Sequence, residues 1–83
     1  MKVEIDPDLL KEIKRLDKGL RERFYKGIEK LVTNPDAGKP LQYDFKGCRR
    51  IRIDPFRIIY KVKEETIFIL AFEHRGIVYK IVK

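Results

Sequence analysis

The sequence contains only one cysteine and one histidine, and this scarcity excludes several kinds of site. A single thiol, Cys48, cannot form an internal disulfide, and no Cys/His spacing suits a zinc site. The N-terminal residues lack the apolar segment of a signal peptide, and no apolar run approaches the roughly 18 residues that a bilayer span needs. We therefore expect a cytoplasmic protein that does not associate with a membrane and needs no metal ion or cofactor.

The sequence also lacks internal repeats and any linker-like stretch, which favours a single domain over residues 1–83. An apolar content of 43% is high enough for helices packed on a sheet and too high for a disordered tail.

Two amphipathic helices are predicted in the first half of the chain. Asp6 suits the N-cap and Pro7 the first helical position, and apolar residues recur at helical spacing through Lys18. Gly19 fits the C-cap of this helix. A second helix follows at once and ends before Asn34, which precedes a proline. Such a short link predicts an antiparallel helical hairpin.

The remaining segments predict a sheet. A loop rich in Pro and Gly runs from Asn34 to about Lys46. Strands are predicted at Lys2–Ile5, Cys48–Ile53, Phe56–Lys63 and Thr66–Glu73, the first at an edge and the last, apolar on both faces, in the interior. Residues 77–83 fit either a strand or one helical turn. The expected fold class is α+β in the order β-α-α-β-β-β, with the helical hairpin on one face of a small, mostly antiparallel sheet.

The positive charge is concentrated in one stretch. Residues 39–63 hold eight basic and two acidic side chains, whereas residues 1–38 hold nine and eight, and residues 64–83 hold three of each. Because a localised excess indicates an anionic partner, the hairpin of the second and third strands is a candidate binding surface.

Within this hairpin, strand alternation places Ile51 and Ile53 on one face and the arginines between them on the other. A short turn at Asp54-Pro55 predicts that Arg52 lies directly opposite Arg57, with Arg50 one step further along the same face. Like charges in that position are destabilising unless an anion lies between them, and guanidinium groups bind phosphate bidentately. The simpler alternative is an exposed sheet face on which the arginines serve only solubility. Charge alone does not distinguish single-stranded RNA, duplex nucleic acid and an acidic protein.

Taken in order, several short motifs resemble the RelE/ParE toxin superfamily, in its RelE-like mRNA interferase branch. They are Pro40-Leu41, Lys46-Gly47-Cys48-Arg49-Arg50-Ile51-Arg52, Phe56-Arg57-Ile58-Ile59-Tyr60 and His74-Arg75-Gly76-Ile77-Val78-Tyr79. The resemblance extends along essentially the whole chain. It implies a toxin that enters the ribosomal A site and cleaves the bound mRNA without a metal ion, by attack of the ribose 2′-OH on the adjacent phosphate.

The resemblance also implies the site residues. The basic positions of the family fall on Arg50, Arg52 and Arg57, and its C-terminal arginine and tyrosine fall on Arg75 and Tyr79. Because arginine stays protonated, the 2′ proton needs another acceptor, either Tyr79 or the sole histidine, His74. Further RNA contacts are expected from the neighbouring basic side chains, Lys39, Lys46, Arg49 and Lys61.

Two other functions remain open: a ParE-like inhibitor of a topoisomerase, and an RNA-binding or inactivated toxin without catalysis. The resemblance implies two partners, a ribosome carrying A-site mRNA and a cognate RelB-like antitoxin in a heterotetramer of two toxins and two antitoxins.

Overall fold

The computed structural model describes residues 1–42 and 45–74. The strands are β1 (Lys2–Ile5), β2 (Lys39–Pro40), β3 (Arg49–Ile53), β4 (Phe56–Lys63) and β5 (Thr66–His74), and the helices are α1 (Pro7–Arg15) and α2 (Lys18–Thr33). The strands form a sheet in the order β1-β5-β4-β3-β2, in which β1 is parallel to β5 and the other neighbours are antiparallel. Both helices pack on one face of this sheet, which confirms the α+β prediction.

The boundary between the helices differs from the prediction. The Asp6 carboxylate caps α1 by accepting a hydrogen bond from the Leu9 amide at 3.1 Å, as expected. However, α1 ends at Arg15 rather than Lys18, because Asp17 caps α2 by accepting from the Leu20 amide at 3.0 Å. An aspartate in this position satisfies free amides of the next helix, so Gly19 lies in the first turn of α2 and is not a C-cap.

The segment predicted as a loop contains one short strand. β2 pairs antiparallel with β3, with Lys39 opposite Arg50 and Pro40 opposite Arg49. A two-residue strand that includes a proline has almost no sequence signal, which explains why β2 was missed. It adds a basic side chain to the edge of the sheet beside Arg50.

The core lies between the helices and one face of the sheet, hereafter the helix face. Leu9, Ile13, Phe24 and Leu31 pack there against β3, β4 and β5. The ring of Phe72 stacks on that of Phe56, with centroids 4.5 Å apart, and meets the ring of Phe24 edge-on at 5.1 Å. These aromatic contacts fix how the helices sit on the sheet.

A glycine allows the close approach of α2 to the hairpin. A Cβ atom at Gly27 would lie 2.8 Å from the Cδ1 of Ile58 and 2.9 Å from the Cδ1 of Ile53, shorter than the carbon–carbon contacts of about 3.5–4.0 Å that are favourable. Gly27 therefore brings the backbone of α2 directly against β3 and β4. Among the described residues, no helix is long and apolar enough to cross a bilayer.

Candidate nucleic-acid interface

The β3–β4 hairpin has the predicted register. A two-residue turn with a cis Asp54-Pro55 peptide bond places Ile53 opposite Phe56 and Arg52 opposite Arg57. Because side chains alternate along a strand, the two arginines share the face away from the helices, and Arg50 lies on the same face opposite Ile59. We call this side of the sheet the arginine face.

A carboxylate partly offsets the charge of each opposed arginine. Arg52 Nε lies 3.8 Å from Asp54 Oδ1, but the Arg52 side chain is 66% exposed, so water and salt weaken this pair. Arg57 Nε lies 3.3 Å from Oε1 of Glu73, a side chain that is 8% exposed. The Nε–H is not aimed at that oxygen, so this contact is an ion pair without an aligned hydrogen bond. Two arginines therefore remain side by side with incomplete compensation.

A shallow cavity of about 140 Å³ opens beside the two arginines. It is lined by Arg50, Arg52, Asp54, Pro55, Phe56 and Arg57. Three guanidinium-bearing side chains around one opening form a site that can bind an anionic group, because guanidinium presents several N–H donors in a fixed plane.

The arginine face is not basic throughout. Ile59 is 3% exposed and Ala71 is 4% exposed, although both lie on this face, where they pair with each other across β4 and β5. Lys61 and Lys63 lie on the same face at the far end of β4, whereas the arginines cluster at the β2–β3 edge and the turn-proximal end of β4. This restricts the candidate site to one corner of the sheet.

Glu73 is a site residue that the sequence did not reveal. It follows Phe72 at the end of an apolar strand and lies opposite Arg57 in the sheet register. Arg52, Arg57 and Glu73 therefore form one row across three strands, hereafter the charged row. The available signal was a charged residue that interrupts an otherwise apolar strand.

Arg49 belongs to the helix face rather than the charged row. Its Nη1 donates to the Gly38 carbonyl oxygen at 2.9 Å, and its Nη2 lies 3.8 Å from Asp36 Oδ1. The RNA contact expected for Arg49 remains a prediction, since these bonds tie its guanidinium to the segment before β2.

Tyr60 anchors the same segment from the core. Its hydroxyl accepts a hydrogen bond from the Gly38 amide and donates one to the Pro35 carbonyl oxygen, both at 2.8 Å. A Cβ atom at Gly38 would collide with this hydroxyl and lie 2.7 Å from the Arg50 carbonyl oxygen. Burial raises the pKa of the Tyr60 hydroxyl above 10.0, although the Gly38 bond and the nearby Arg49 charge act in the opposite direction. These contacts place β2 beside Arg50.

The three lysines expected to bind RNA have different positions. Lys39 lies opposite Arg50 and extends the positive charge to the sheet edge. Lys46 is exposed in the turn before β3, and Lys61 lies further along β4, opposite Phe68. Lys39 is thus the lysine of this set that pairs in the register with an arginine of the site.

His74 lies on the opposite side of the sheet from the charged row. It pairs with Phe56 in the register, and the two rings meet edge-on with centroids 5.1 Å apart. Arg75 and Tyr79, and the alternative between strand and helix for residues 77–83, lie outside the described residues. The structure therefore brings Arg50, Arg52 and Arg57 together and separates His74 from them by the thickness of the sheet.

Comparison with known sequences identifies the family. The sequence profile described as "ParE toxin of type II toxin-antitoxin system, parDE" matches residues 3–79. The chain belongs to the RelE/ParE superfamily of type II toxin–antitoxin toxins. A putative RelE-like toxin protein of Escherichia coli is 32% identical over 69 residues, which cover 81% of this chain and 73% of that relative.

The same fold is present in several solved structures. The archaeal RelE–RelB complex from Pyrococcus horikoshii contains a chain with a TM-score of 0.72 and 25% identity, covering 90% of this chain and 94% of that one. The RelBE2 toxin–antitoxin complex from Mycobacterium tuberculosis gives 0.75 at 24% identity, covering 89% and 96%. The YoeB–YefM complex from Staphylococcus aureus gives 0.76 at 16%, covering 89% and 95%. The resemblance inferred from the short motifs is confirmed at the level of the superfamily.

Proposed function

We propose that this toxin is a ribosome-dependent endoribonuclease that cleaves mRNA in the A site. The observation that supports this most is the arrangement of Arg50, Arg52 and Arg57 around one small opening on the face of the sheet away from the helices. Retaining two arginines directly opposite each other costs stability unless an anion binds between them. A phosphodiester of RNA is an anion that bidentate guanidinium groups recognise well.

The proposed reaction is an intramolecular transesterification. The ribose 2′-oxygen attacks the adjacent phosphorus and the P–O5′ bond breaks, which yields a 2′,3′-cyclic phosphate and a 5′-OH. Negative charge builds up on the phosphoryl oxygens in the transition state. Arg52 and Arg57 stabilise that charge with Arg75, and Arg50 positions the strand, so these arginines supply the positive charge that metal ions supply in other nucleases.

Two protons must move in this reaction: one leaves the 2′-OH and one reaches O5′. Arginine does not serve as the base, because its guanidinium stays protonated in proteins. We assign the proton acceptor to Tyr79, because the positive charge of an arginine site would favour the phenolate form of a tyrosine that takes part in it. The position of His74 behind the sheet, against Phe56, favours this assignment over the histidine.

Two kinds of partner follow from this proposal. The ribosome presents the mRNA, with Lys39, Lys46, Arg49 and Lys61 as additional phosphate contacts. A cognate RelB-like antitoxin holds the toxin inactive in the cytoplasm, in a complex of two toxins and two antitoxins. An acidic segment of the antitoxin bound over the charged row would relieve the repulsion between Arg52 and Arg57. Because such a segment binds the folded domain and not the unfolded chain, it would also stabilise this small domain by mass action.

The test is cleavage of a defined mRNA on purified ribosomes, with both fragment ends mapped. Cuts at codon positions with cyclic phosphate ends are expected, and they should be lost in Arg75→Ala and strongly reduced in Arg57→Lys. Lys26→Ala is the matched control, because it removes one positive charge from the exposed surface of α2. Intact mRNA after incubation with folded toxin and translating ribosomes would refute the proposal.

The proton acceptor is tested by comparing Tyr79→Phe with His74→Gln in single-turnover cleavage. Tyr79→Phe should slow the reaction by about 10²–10⁴-fold, the usual contribution of general acid–base catalysis. A near-wild-type rate for Tyr79→Phe would show that this assignment is wrong.

A second candidate function is inhibition of a topoisomerase, because the family profile that matches residues 3–79 describes ParE toxins. The same protein preparation should be tested in a DNA supercoiling assay. Blocked supercoiling with intact mRNA would identify the ParE-like function, whereas salt-sensitive RNA binding with neither effect would identify a non-catalytic toxin.

A further inference from the structure

Glu73 is the one charged side chain that is buried in residues 1–42 and 45–74, with 6% of the residue exposed. Removing a carboxylate from water is costly unless a cation compensates it. Glu73 also interrupts a strand that otherwise contributes apolar side chains to the core. A buried carboxylate at this position therefore needs a physical reason.

The charged row supplies that reason. Arg57 occupies the middle strand, with Arg52 on one side and Glu73 on the other. Glu73 thus lies on the side of Arg57 that is away from Arg52, and its attraction opposes the repulsion between the two arginines. With Arg50 and Asp54, which line the same cavity, the site holds three cations and two carboxylates and so carries a net charge of one positive unit. A single phosphodiester carries one negative unit and neutralises the site.

The contact with Glu73 leaves the terminal nitrogens of Arg57 available to bind a phosphate. Glu73 Oε1 approaches Nε at 3.3 Å, at the inner end of the guanidinium. The Arg57 side chain remains 29% exposed and lines the small cavity with Arg50 and Arg52. The terminal nitrogens carry four of the five N–H bonds, and these are the donors that bind a phosphate end-on.

We propose that Glu73 is a positioning residue of the phosphate site. Its charge attracts the guanidinium of Arg57 from the Nε side, so that the terminal nitrogens face the anion beside Arg52, and it sets the net charge of the site to match one phosphodiester. The proposal rests on the RNA-cleaving function proposed above. Glu73 acts through Arg57 and does not itself transfer a proton.

The distinguishing variant is Glu73→Gln, which keeps the shape and removes the charge. Binding should be preserved or tightened, because the row gains one net positive charge. Cleavage should slow by about 10- to 100-fold, because a guanidinium displaced by a fraction of an ångström no longer meets the transition state. The expected signature is therefore a lower maximal cleavage rate without an increase in half-saturating toxin concentration. A purely structural role would instead lower the folded fraction.

Binding is measured separately with a 2′-O-methyl RNA oligonucleotide, which lacks the attacking hydroxyl and cannot be cleaved. Its affinity for Glu73→Gln should fall more steeply with salt than its affinity for the wild type, since one more cation is free to displace counterions. Glu64→Gln is the matched control: it removes the same charge from an exposed turn residue and should change neither quantity.

The position of Arg57 is read directly from its Nε–H resonance in ¹H–¹⁵N NMR spectra, assigned by its loss in Arg57→Lys. Glu73→Gln should shift this resonance in the free protein, and RNA should perturb it less than in the wild type. If the wild type does not cleave mRNA, the proposed function fails, and this resonance still tests the role of Glu73.

An unchanged Arg57 resonance or an unchanged maximal rate in Glu73→Gln would overturn the positioning role while leaving the nuclease proposal intact. If Glu73→Gln does not fold, Glu73→Asp replaces it. Aspartate keeps the charge but places it one methylene further from Arg57. The maximal cleavage rate of Glu73→Asp should therefore lie between those of the wild type and Arg57→Lys. A wild-type rate for Glu73→Asp would then contradict the proposal.

Discussion

Two rows of side chains cross the same three strands on opposite faces of the sheet and differ by one residue in each strand. Ile53, Phe56 and His74 form the row on the helix face, and their immediate neighbours Arg52, Arg57 and Glu73 form the charged row. The first row supports the helices and the second presents guanidinium groups beside a cavity. In each strand, a residue on the packing face and a residue on the binding face are therefore neighbours in the sequence.

The two faces also differ in how their polar atoms are compensated. On the helix face, the Tyr60 hydroxyl makes two hydrogen bonds of 2.8 Å with backbone groups. In the charged row, the ion pairs of Arg52 and Arg57 lack hydrogen-bond geometry, and Nε of Arg57 is buried without an acceptor. Among the described residues, the one buried side-chain donor without an acceptor therefore lies in the charged row.

The largest expected effect is on the helix face. Phe56→Ala removes a ring stacked on Phe72 and should lower the free energy of unfolding by about 3–5 kcal/mol. Urea denaturation monitored by circular dichroism measures this change. A loss below about 1 kcal/mol would mean that the contact between the sheet and the helices does not depend on this ring.

The second effect belongs to the charged row. Arg52→Ala should reduce the mRNA cleavage rate by about 10²–10³-fold, the typical effect of removing one donor to a developing oxyanion. The unfolding free energy should change by less than about 0.5 kcal/mol, because Arg52 is largely exposed and its removal relieves repulsion with Arg57. Loss of stability comparable to Phe56→Ala would erase the contrast between the two rows.

A smaller effect is expected at the polar anchor of the helix face. Tyr60→Phe leaves the Gly38 amide and the Pro35 carbonyl without their partner and should cost about 1–3 kcal/mol. The raised pKa adds a pH dependence: the unfolded tyrosine ionises near pH 10, so the wild type loses stability as the pH rises from there through the folded pKa. The variant should show a weaker alkaline loss, measured by urea titrations at pH 8 and above pH 10.

The smallest effect concerns the β4–β5 turn, at the far end of β4 from the charged row. Glu64 and Glu65 both have positive φ, 50° and 58°, a conformation that asparagine and glycine adopt more readily. The double change Glu64→Asn with Glu65→Gly should raise stability by about 1 kcal/mol, or Tm by about 4–8 °C. Cleavage should be unchanged; a slower reaction would mean that this turn also affects the site.

Local patterns predicted much of the fold. The turn at Asp54-Pro55 and the alternation of isoleucine and arginine in β3 gave the correct register of the hairpin, because both signals lie within a few residues. The end of α1 was predicted wrongly, because Gly19 as a C-cap competed with Asp17 as an N-cap, and the second option satisfies α2. β2 was missed because it exists only by pairing with β3.

The site was predictable only in part. Arg50, Arg52 and Arg57 were named from charge and register, and the structure brings them together. Glu73 was missed because the role of a carboxylate on an apolar strand depends on the residue beside it on the adjacent strand, and the sequence did not identify Arg57 as that residue. The roles of Arg75 and Tyr79 remain predictions carried by the family resemblance.

The sequence by itself determined that Arg52 faces Arg57, since a two-residue turn and a period of two fix a hairpin register. Only the tertiary structure decided which side of the sheet Glu73 and His74 occupy. The β4–β5 register shifts by one residue between Ile59 and Tyr60, so that Leu70 has no partner on β4. Without this bulge, Phe72 would lie opposite Arg57 and Glu73 would point toward the helices. One unpaired residue exchanges the two faces of the strand beyond it, and that exchange completes the charged row.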